Sequence, residues 1–324
     1  MEYRRLGRSG LLVSAVGLGT NNFGGRTDEP QSRRVLDQAI ESGINFIDTA
    51  NLYSNTISEQ IIGNWMNGKR DKVLIATKFS WPVRPGPYGR GASRLHIMAE
   101  VESSLRRLKT DHIDLYQQHL PDPGTPIEET LRTLDDLVTQ GKVRYVGASN
   151  FRGWQVAEAA RAAEGMGTAS FVSQQPYYNV LKRQVEKEVV PACAAYGIGL
   201  IPYRPLENGL LTGKYKRGER APVGTRLAGS STVAQESAFS DHNFDRLEKL
   251  ESFAAERSIG LGELAIAWLL ANPLVGSVIC GATKPEQIVG NAKGADRKLV
   301  PTDIEAINAI APVGPGDYEP LGPR

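Results

Sequence analysis

Gly43-Ile44-Asn45-Phe46-Ile47-Asp48-Thr49-Ala50-Asn51-Leu52-Tyr53 holds a short apolar run that ends in an acid, followed by a polar turn that delivers a tyrosine. Phe46 and Ile47 suit a buried strand, and the residues beyond them are too polar to continue it. An acid and a phenol therefore stand together at the mouth of a strand. A tyrosine titrating near ~10 is a poor proton donor at neutral pH unless a nearby cation favours the phenolate left behind.

Outward from this stretch the chain alternates. Residues 2–13 read as a hairpin turning at Gly7-Arg8-Ser9-Gly10, and Val16 to Gly19 as a strand. Val35, Leu36, Ala39 and Ile40 mark one face of a helix. Beyond Tyr53 come a helix over Ile57 to Met66 and a strand over Val73 to Thr77. A helix through Ile97, Val101, Leu105 and Leu108 precedes a strand over His112 to Tyr116. The pattern continues with a helix over Ile127 to Val138, a strand over Val143 to Ala148 and a helix over Trp154 to Ala163. Strands at Phe171 to Ser173 and Gly199 to Pro202 flank a helix over Val185 to Tyr196. A Gly-rich segment, Arg204 to Asp241, interrupts the rhythm before helices over Phe244 to Ala255 and Leu261 to Leu270. A strand over Ser277 to Ile279 and helices from Pro285 and Ile304 complete the pattern.

Alternating strands and helices imply parallel strands joined by right-handed crossovers. Eight such units in 324 residues imply an α/β fold of the (β/α)8 TIM-barrel type, with an N-terminal β-hairpin and extended loops at the C-terminal face. A doubly wound open sheet is the runner-up. No linker-like boundary appears, so residues 1–324 read as one domain.

Apolar residues make up 40% of the chain and charged residues 23%, with a formal net charge of +2 and no basic stripe, which gives nucleic-acid binding no support. Cys193 and Cys280 stand far apart without ligand spacing. No metal site or structural disulfide is expected, and a reducing cytoplasm fits better. The N-terminus lacks the apolar core of a signal peptide, and no apolar run is long enough to span a membrane.

In such barrels the chemistry gathers at the C-terminal ends of the strands. Those ends carry Gly19-Thr20-Asn21, then Asp48 with Tyr53, then Lys78, then His119. Next come Ser149-Asn150, Gln174-Gln175, Tyr203-Arg204 and Gly281-Ala282-Thr283-Lys284. Lys78 follows an apolar strand, where a surface lysine has no reason to sit. Paired with Asp48 it can stay charged while partly buried, and its charge is expected to lower the pKa of Tyr53. His119 offers a neutral imidazole to orient a carbonyl oxygen.

At these positions the chain resembles the aldo-keto reductase superfamily over nearly its whole length. The motifs are Asp48-Thr49-Ala50 with Tyr53, Ala76-Thr77-Lys78, Asp114 to His119, Gly141 to Arg144, Gly147 to Asn150, and Gly281 to Gln287. Gly209-Leu210-Leu211-Thr212-Gly213-Lys214 looks most like its bacterial and potassium-channel-β-like branches. The resemblance implies a barrel that binds a nicotinamide cofactor, NADPH/NADP+ with NADH as the alternative, and reduces a small carbonyl substrate. It implies Tyr53 as general acid, Lys78 and Asp48 as its tuning pair, and His119 as the substrate-orienting donor. Ser149, Asn150 and Gln175 would hold the carboxamide, and Tyr203 would stack on the nicotinamide. Gly19, Thr20, Asn21, Asp48, Arg204, Leu206, Gly209, Lys214, Gly281 and Thr283 would line the cofactor. Lys284, Gln287 and Asn291 would meet its adenosine phosphate end. Four departures stand out. Ser54-Asn55-Thr56 occupies positions where the family often has glycines, Arg204 replaces a common Ser, Cys280 a common Pro, and Gln287 an Arg that some members use for the phosphate, which weakens the case for NADP over NAD without removing it.

Some alternatives stay open at this level. Asp48 and Asn150 are each able to cap a helix. Gln174 and Gln175 are not separated by physics, though Gln175-Pro176-Tyr177-Tyr178-Asn179 favours Gln175. Arg204 either faces a cofactor phosphate or turns outward to pair with Glu207. The Gly17-Leu18-Gly19 run lacks the third glycine of a dinucleotide fingerprint. A cofactor-binding, redox-sensing regulatory subunit with little turnover is the alternative function. The tail Ala311 to Arg324, rich in Pro and Gly, is expected to shape the substrate entrance. The sequence leaves the oligomeric state open.

Overall fold

The computed structural model describes residues 1–316 and 318. A hairpin opens the chain, with β1 (Tyr3–Arg5) antiparallel to β2 (Leu12–Ser14). Eight strands follow: β3 (Val16–Gly19), β4 (Phe46–Asp48), β5 (Leu74–Phe79), β6 (Ile113–Gln118), β7 (Val143–Ser149), β8 (Ser173–Gln175), β9 (Gly199–Leu200) and β10 (Val278–Gly281). Their order in the sheet is β10-β3-β4-β5-β6-β7-β8-β9, and every neighbouring pair is parallel. The sheet closes between its two ends. Gly276 N donates to Leu200 O and Ile279 N to Pro202 O, each at 2.9 Å, and Tyr203 bridges Ile279. The structure is thus the (β/α)8 barrel rather than the open sheet.

Apart from the short α7, the helices pack around the barrel through apolar faces that bury against the strands or against one another. In order these are α1 (Glu29–Glu41), α2 (Ile57–Trp65), α3 (Arg94–Leu108), α4 (Ile127–Thr139), α5 (Gly153–Met166) and α6 (Val189–Tyr196). After β9 come α7 (Thr232–Ala238), α8 (Asp241–Glu256) and α9 (Leu261–Leu270), and after β10 come α10 (Pro285–Asp296) and α11 (Pro301–Ile310). Asp28 caps α1 by accepting from Gln31 N at 2.8 Å. Alternation along the strands separates two cores. Ile75, Ile113 and Tyr116 face the helices, whereas Phe46, Ala76, Leu115 and Ile279 fill the barrel interior.

The hairpin closes the N-terminal mouth of the barrel. Leu6, Leu11 and Val13 join the interior cluster, and Arg8 N donates to Gly197 O at 2.9 Å. Gly7 makes this seat possible. Its φ is +57°, and a Cβ there would lie 2.6 Å from Gly197 O and 2.7 Å from Gly199 N.

Two local expectations shift. β8 begins at Ser173, two residues later than the apolar run beginning at Phe171 indicated, because the strand extends into polar Gln174 and Gln175. The segment from Arg204 to Asp241 is not merely a loop, since it contains two 3-10 turns and α7.

Candidate active site

The inward register of β4, β5, β6 and β8 brings four polar side chains to one level of the barrel. Lys78 Nζ donates to Asp48 Oδ2 at 2.7 Å, to Thr49 O at 2.7 Å and to Tyr53 Oη at 3.3 Å. All three ammonium protons therefore have acceptors. Asp48 Oδ1 accepts from Gln117 Nε2 at 3.1 Å and Gln175 Nε2 at 2.9 Å. Lys78 is 0% and Asp48 2% exposed, so the pair is tolerable only because every charge-bearing atom is satisfied. Asp48 caps no helix. Because Tyr53 Oη accepts from Lys78, its own hydrogen is left to point elsewhere.

Burial pulls the Lys78 ammonium down, but Asp48 and then Tyr53 more than offset this and hold it above its ordinary value. For Tyr53 the outcome differs from the sequence expectation. Burial raises the phenol above its usual value, and the Lys78 charge only partly counters that. His119 is pushed well below the usual imidazole value, chiefly by burial and then by Lys78, so the ring is neutral. Its Nδ1 has no partner among the described residues. Tyr53 and Trp81 meet His119 edge-on, at ring separations of 6.1 and 6.0 Å.

Asn150 is fully engaged without capping a helix. Its φ is +61°, its Nδ2 donates to His119 O and Ser149 Oγ at 3.0 Å, and its Oδ1 accepts from Tyr203 Oη at 2.8 Å. Gln175 and Gln174 separate cleanly. Gln175 points inward to Asp48, while Gln174 Nε2 turns out to Phe151 O at 2.9 Å.

The Ser54-Asn55-Thr56 departure leaves the loop in a glycine-like shape. All three residues are left-handed, with φ of 49°, 54° and 74°, at roughly 1–2 kcal/mol each for an L-residue. Arg204 is also left-handed, with φ of 54°. Its guanidinium lies 5.3 Å from the centre of the Tyr177 ring, which in turn stacks on Tyr203 at 5.5 Å. The alternative pairing of Arg204 with Glu207 is not made. Glu207 is buried and accepts from Tyr177 Oη at 2.6 Å and Asn179 Nδ2 at 2.7 Å.

Above this level opens a cavity of about 980 Å³. Gly19, Thr20 and Asn21 line it from β3, Ser149 and Asn150 from β7, and Asp48, Tyr53, His119 and Gln175 at its floor. Tyr203, Arg204, Leu206, Gly209 and Lys214 follow β9, and Gly281, Thr283, Lys284, Gln287 and Asn291 surround the start of α10. Lys78 lies beneath this lining. Asn291 is 7% exposed and its Nδ2 has no partner, a buried donor that a ligand would satisfy. Gln287 Oε1 turns back to cap α10, accepting from Thr283 N at 2.7 Å.

Five cations line the cavity: Arg26, Arg204, Lys214, Arg226 and Lys284. None forms an ion pair with a carboxylate among the described residues, whereas of the two lining carboxylates Asp48 is paired with Lys78 and Glu263 with Arg297. Such a surface calls for an anionic ligand. The family model described as "Aldo/keto reductase family" matches residues 15–312. The chain belongs to the aldo/keto reductase family.

Across 99% of this family member and 98% of the relative, it is 38% identical to the "Uncharacterized oxidoreductase YrpG" of Bacillus subtilis (strain 168). It is 37% identical, over 96% of each chain, to the "Probable voltage-gated potassium channel subunit beta" of Oryza sativa subsp. japonica. It is 33% identical, over 94% of this chain and 95% of the other, to the "Versiconal hemiacetal acetate reductase" of Aspergillus parasiticus. Bacterial and potassium-channel-β-like relatives thus both appear, as the motifs indicated, and the chain is an oxidoreductase in the general sense of its family.

Sequence reasoning about this aldo/keto reductase missed Arg26, Arg226 and Trp81. Arg26 follows two glycines and Arg226 lies deep in the long segment, so neither sits at a strand end. Trp81 stands three residues past Lys78, and its nearness to the site was the one readable signal. The described part of the tail contributes no lining residue. Ala311 O and Gly316 O instead accept from Arg183 and Lys187. The rest of the tail expectation lies outside the described residues. No helix among the described residues is long and apolar enough to cross a membrane.

Proposed function

We propose that this single-domain chain is an NADPH-dependent cytoplasmic reductase that converts an aldehyde or ketone to an alcohol. This reading rests on Lys78, whose buried ammonium bonds Asp48 and the Tyr53 hydroxyl at the floor of a cation-lined cavity. The donor set suits a dinucleotide, with amides at the floor and cations towards the rim. When bound, the nicotinamide supplies the hydride. Tyr53 gives its proton to the carbonyl oxygen as charge develops there. Lys78 stabilises the phenolate that remains, and Asp48 keeps Lys78 charged in a site that excludes water. Neutral His119 donates a ring N–H to the same oxygen and so fixes the carbonyl. Gln175, whose Nε2 is given to Asp48, keeps its Oε1 to accept from a carboxamide. Asn291 Nδ2 and the five cations meet the phosphates and adenosine.

Tyr53→Phe tests the proposal. Turnover of an aldehyde, followed by the absorbance of reduced nicotinamide, should fall by about two or more orders of magnitude. NADPH binding should be little changed. Retention of most activity would show that Tyr53 is not the acid.

The likeness to proteins named as potassium-channel β subunits favours a second reading, a regulatory subunit that binds the cofactor and turns over little. Tight NADPH binding with no turnover across a panel of aldehydes and ketones would favour it over the reductase.

A further inference from the structure

The loop that carries Tyr53 and the loop that carries Trp81 belong to different β–α connections, yet one buried carboxylate touches both. Glu100 lies in the middle of α3 and is 2% exposed. Its Oε2 accepts from Asn51 Nδ2 at 2.9 Å, and its Oε1 from Arg84 at 3.1 Å. Asn51 stands two residues before Tyr53. Its Oδ1 has no partner among the described residues, so Glu100 is the one hydrogen-bonding hold on that side chain. Arg84 stands three residues after Trp81 and gathers its own loop by donating to Tyr88 O at 3.3 Å. His96, one turn earlier on α3, bonds the same carbonyl through Nδ1 at 3.0 Å.

A carboxylate at this depth costs several kcal/mol to desolvate, and an apolar side chain would fill the space without that penalty. The contacts explain its presence better than packing does. The Tyr53 loop needs an external hold, since it continues into three left-handed residues that resist that conformation. The Trp81 loop is long and rich in Gly and Pro, and Trp81 faces the His119 ring.

We propose that Glu100 is a positioning residue that ties the Tyr53 loop to the Trp81 loop and so fixes the proton donor relative to the aromatic wall beside His119. The proposal rests on the reductase reading. It divides the work of one side chain between two partners. The Asn51 branch sets where Tyr53 stands, which governs the chemical step. The Arg84 branch sets where Trp81 stands, which governs substrate capture.

Four variants test it: Asn51→Ala, Arg84→Ala, Glu100→Ala and Glu100→Gln. Two readouts are steady-state reduction of benzaldehyde with NADPH and hydrogen exchange of peptides covering residues 49–57 and 80–92. Asn51→Ala should lower kcat about tenfold at nearly constant KM, and Arg84→Ala should raise KM about tenfold at nearly constant kcat. Glu100→Ala should do both and speed exchange in both peptides, whereas each partner variant speeds one. Glu100→Gln keeps an acceptor for Asn51 but loses the charge facing Arg84, so kcat should recover while KM stays raised. NADPH affinity should hold throughout, because none of these residues lines the cavity. Wild-type kinetics and exchange in Glu100→Ala would overturn the proposal. So would a general rise in exchange across the barrel strands with Gln no better than Ala, the mark of a packing residue. A wild-type protein that reduces neither benzaldehyde nor any member of a panel of aldehydes and ketones defeats the reductase reading alone. The exchange arm then still decides, and unchanged exchange in both peptides overturns the tie.

Discussion

The buried pair of Asp48 and Lys78 can be broken from either end. Asp48→Asn removes the charge and keeps the shape. The new amide brings an N–H2 to a place where Lys78, Gln117 and Gln175 all donate, so either Lys78 or both glutamines lose an acceptor, depending on which way the amide turns. Lys78, at 0% exposure, also loses its counter-charge. Removing one partner of a buried pair costs about 3–5 kcal/mol, and urea unfolding at neutral pH should show a loss of that size. The pH dependence has a definite sign. In the native protein Lys78 is held above its ordinary 10.5, so its stabilisation is complete below that value and fades only as pH rises through the raised one. In the variant, burial acts with no carboxylate against it, and the folded ammonium is pulled below 10.5. The unfolded chain then binds more protons than the folded one. Stability of Asp48→Asn should therefore increase from neutrality towards alkaline pH, where the native protein stays flat. Lys78→Met strands Asp48 in the same way, and the double variant should lose much less than the sum of the two singles. Additive losses, or a native-like urea midpoint for Asp48→Asn, would refute the claim that the pair carries its weight through mutual charge.

Three further outcomes follow from the same geometry. Because burial and Lys78 hold His119 well below 6.5, ring NMR at pH 7 should show neutral imidazole. As the folded form resists protonation, His119 should subtract stability as pH falls below 6.5; a charged ring at pH 7 would contradict this. Lys284→Ala should weaken NADPH by about tenfold and NADH far less, the modest figure reflecting an exposed lysine; equal losses in a fluorescence titration would count against a 2′-phosphate contact. Arg204→Ser should weaken both cofactors by roughly tenfold and make binding less sensitive to salt, and unchanged affinity at low salt would leave Arg204 to its stacking on Tyr177.

The barrel was legible because buried parallel strands are written as short apolar runs, and covering helices as stripes of period 3.6. The site was legible because the barrel sends its strand ends to one rim, so Asp48, Lys78, His119 and Gln175 could be counted off in order. What escaped were contacts set by backbone conformation or by long side chains. Nothing in Tyr203-Arg204-Pro205 announces a left-handed arginine whose guanidinium lies over the ring of Tyr177, a residue distant in sequence. The net shift of Tyr53 also escaped, because burial depth is a property of packing and not of neighbours in sequence. α7 is short and has no buried face, so it leaves no apolar stripe to detect. Asn150 spends its amide on His119 O and Tyr203 Oη, partners 31 and 53 residues away, where a sequence shows only a residue able to cap.

The hairpin that closes the barrel has a consequence for how the chain is made. β1 and β2 leave the ribosome early, but their seat does not yet exist. Arg8 anchors to Tyr196 O across 188 residues, and Arg4 to Leu270 O across 266. Loops of that length close late, and contacts across them dominate the slow part of folding. Through most of synthesis Leu6, Leu11 and Val13 therefore stay wet, and the nascent barrel carries an uncorked apolar end. A chaperone that shields short apolar segments near the N-terminus would find its target during that interval and lose it once β9 and α9 have emerged.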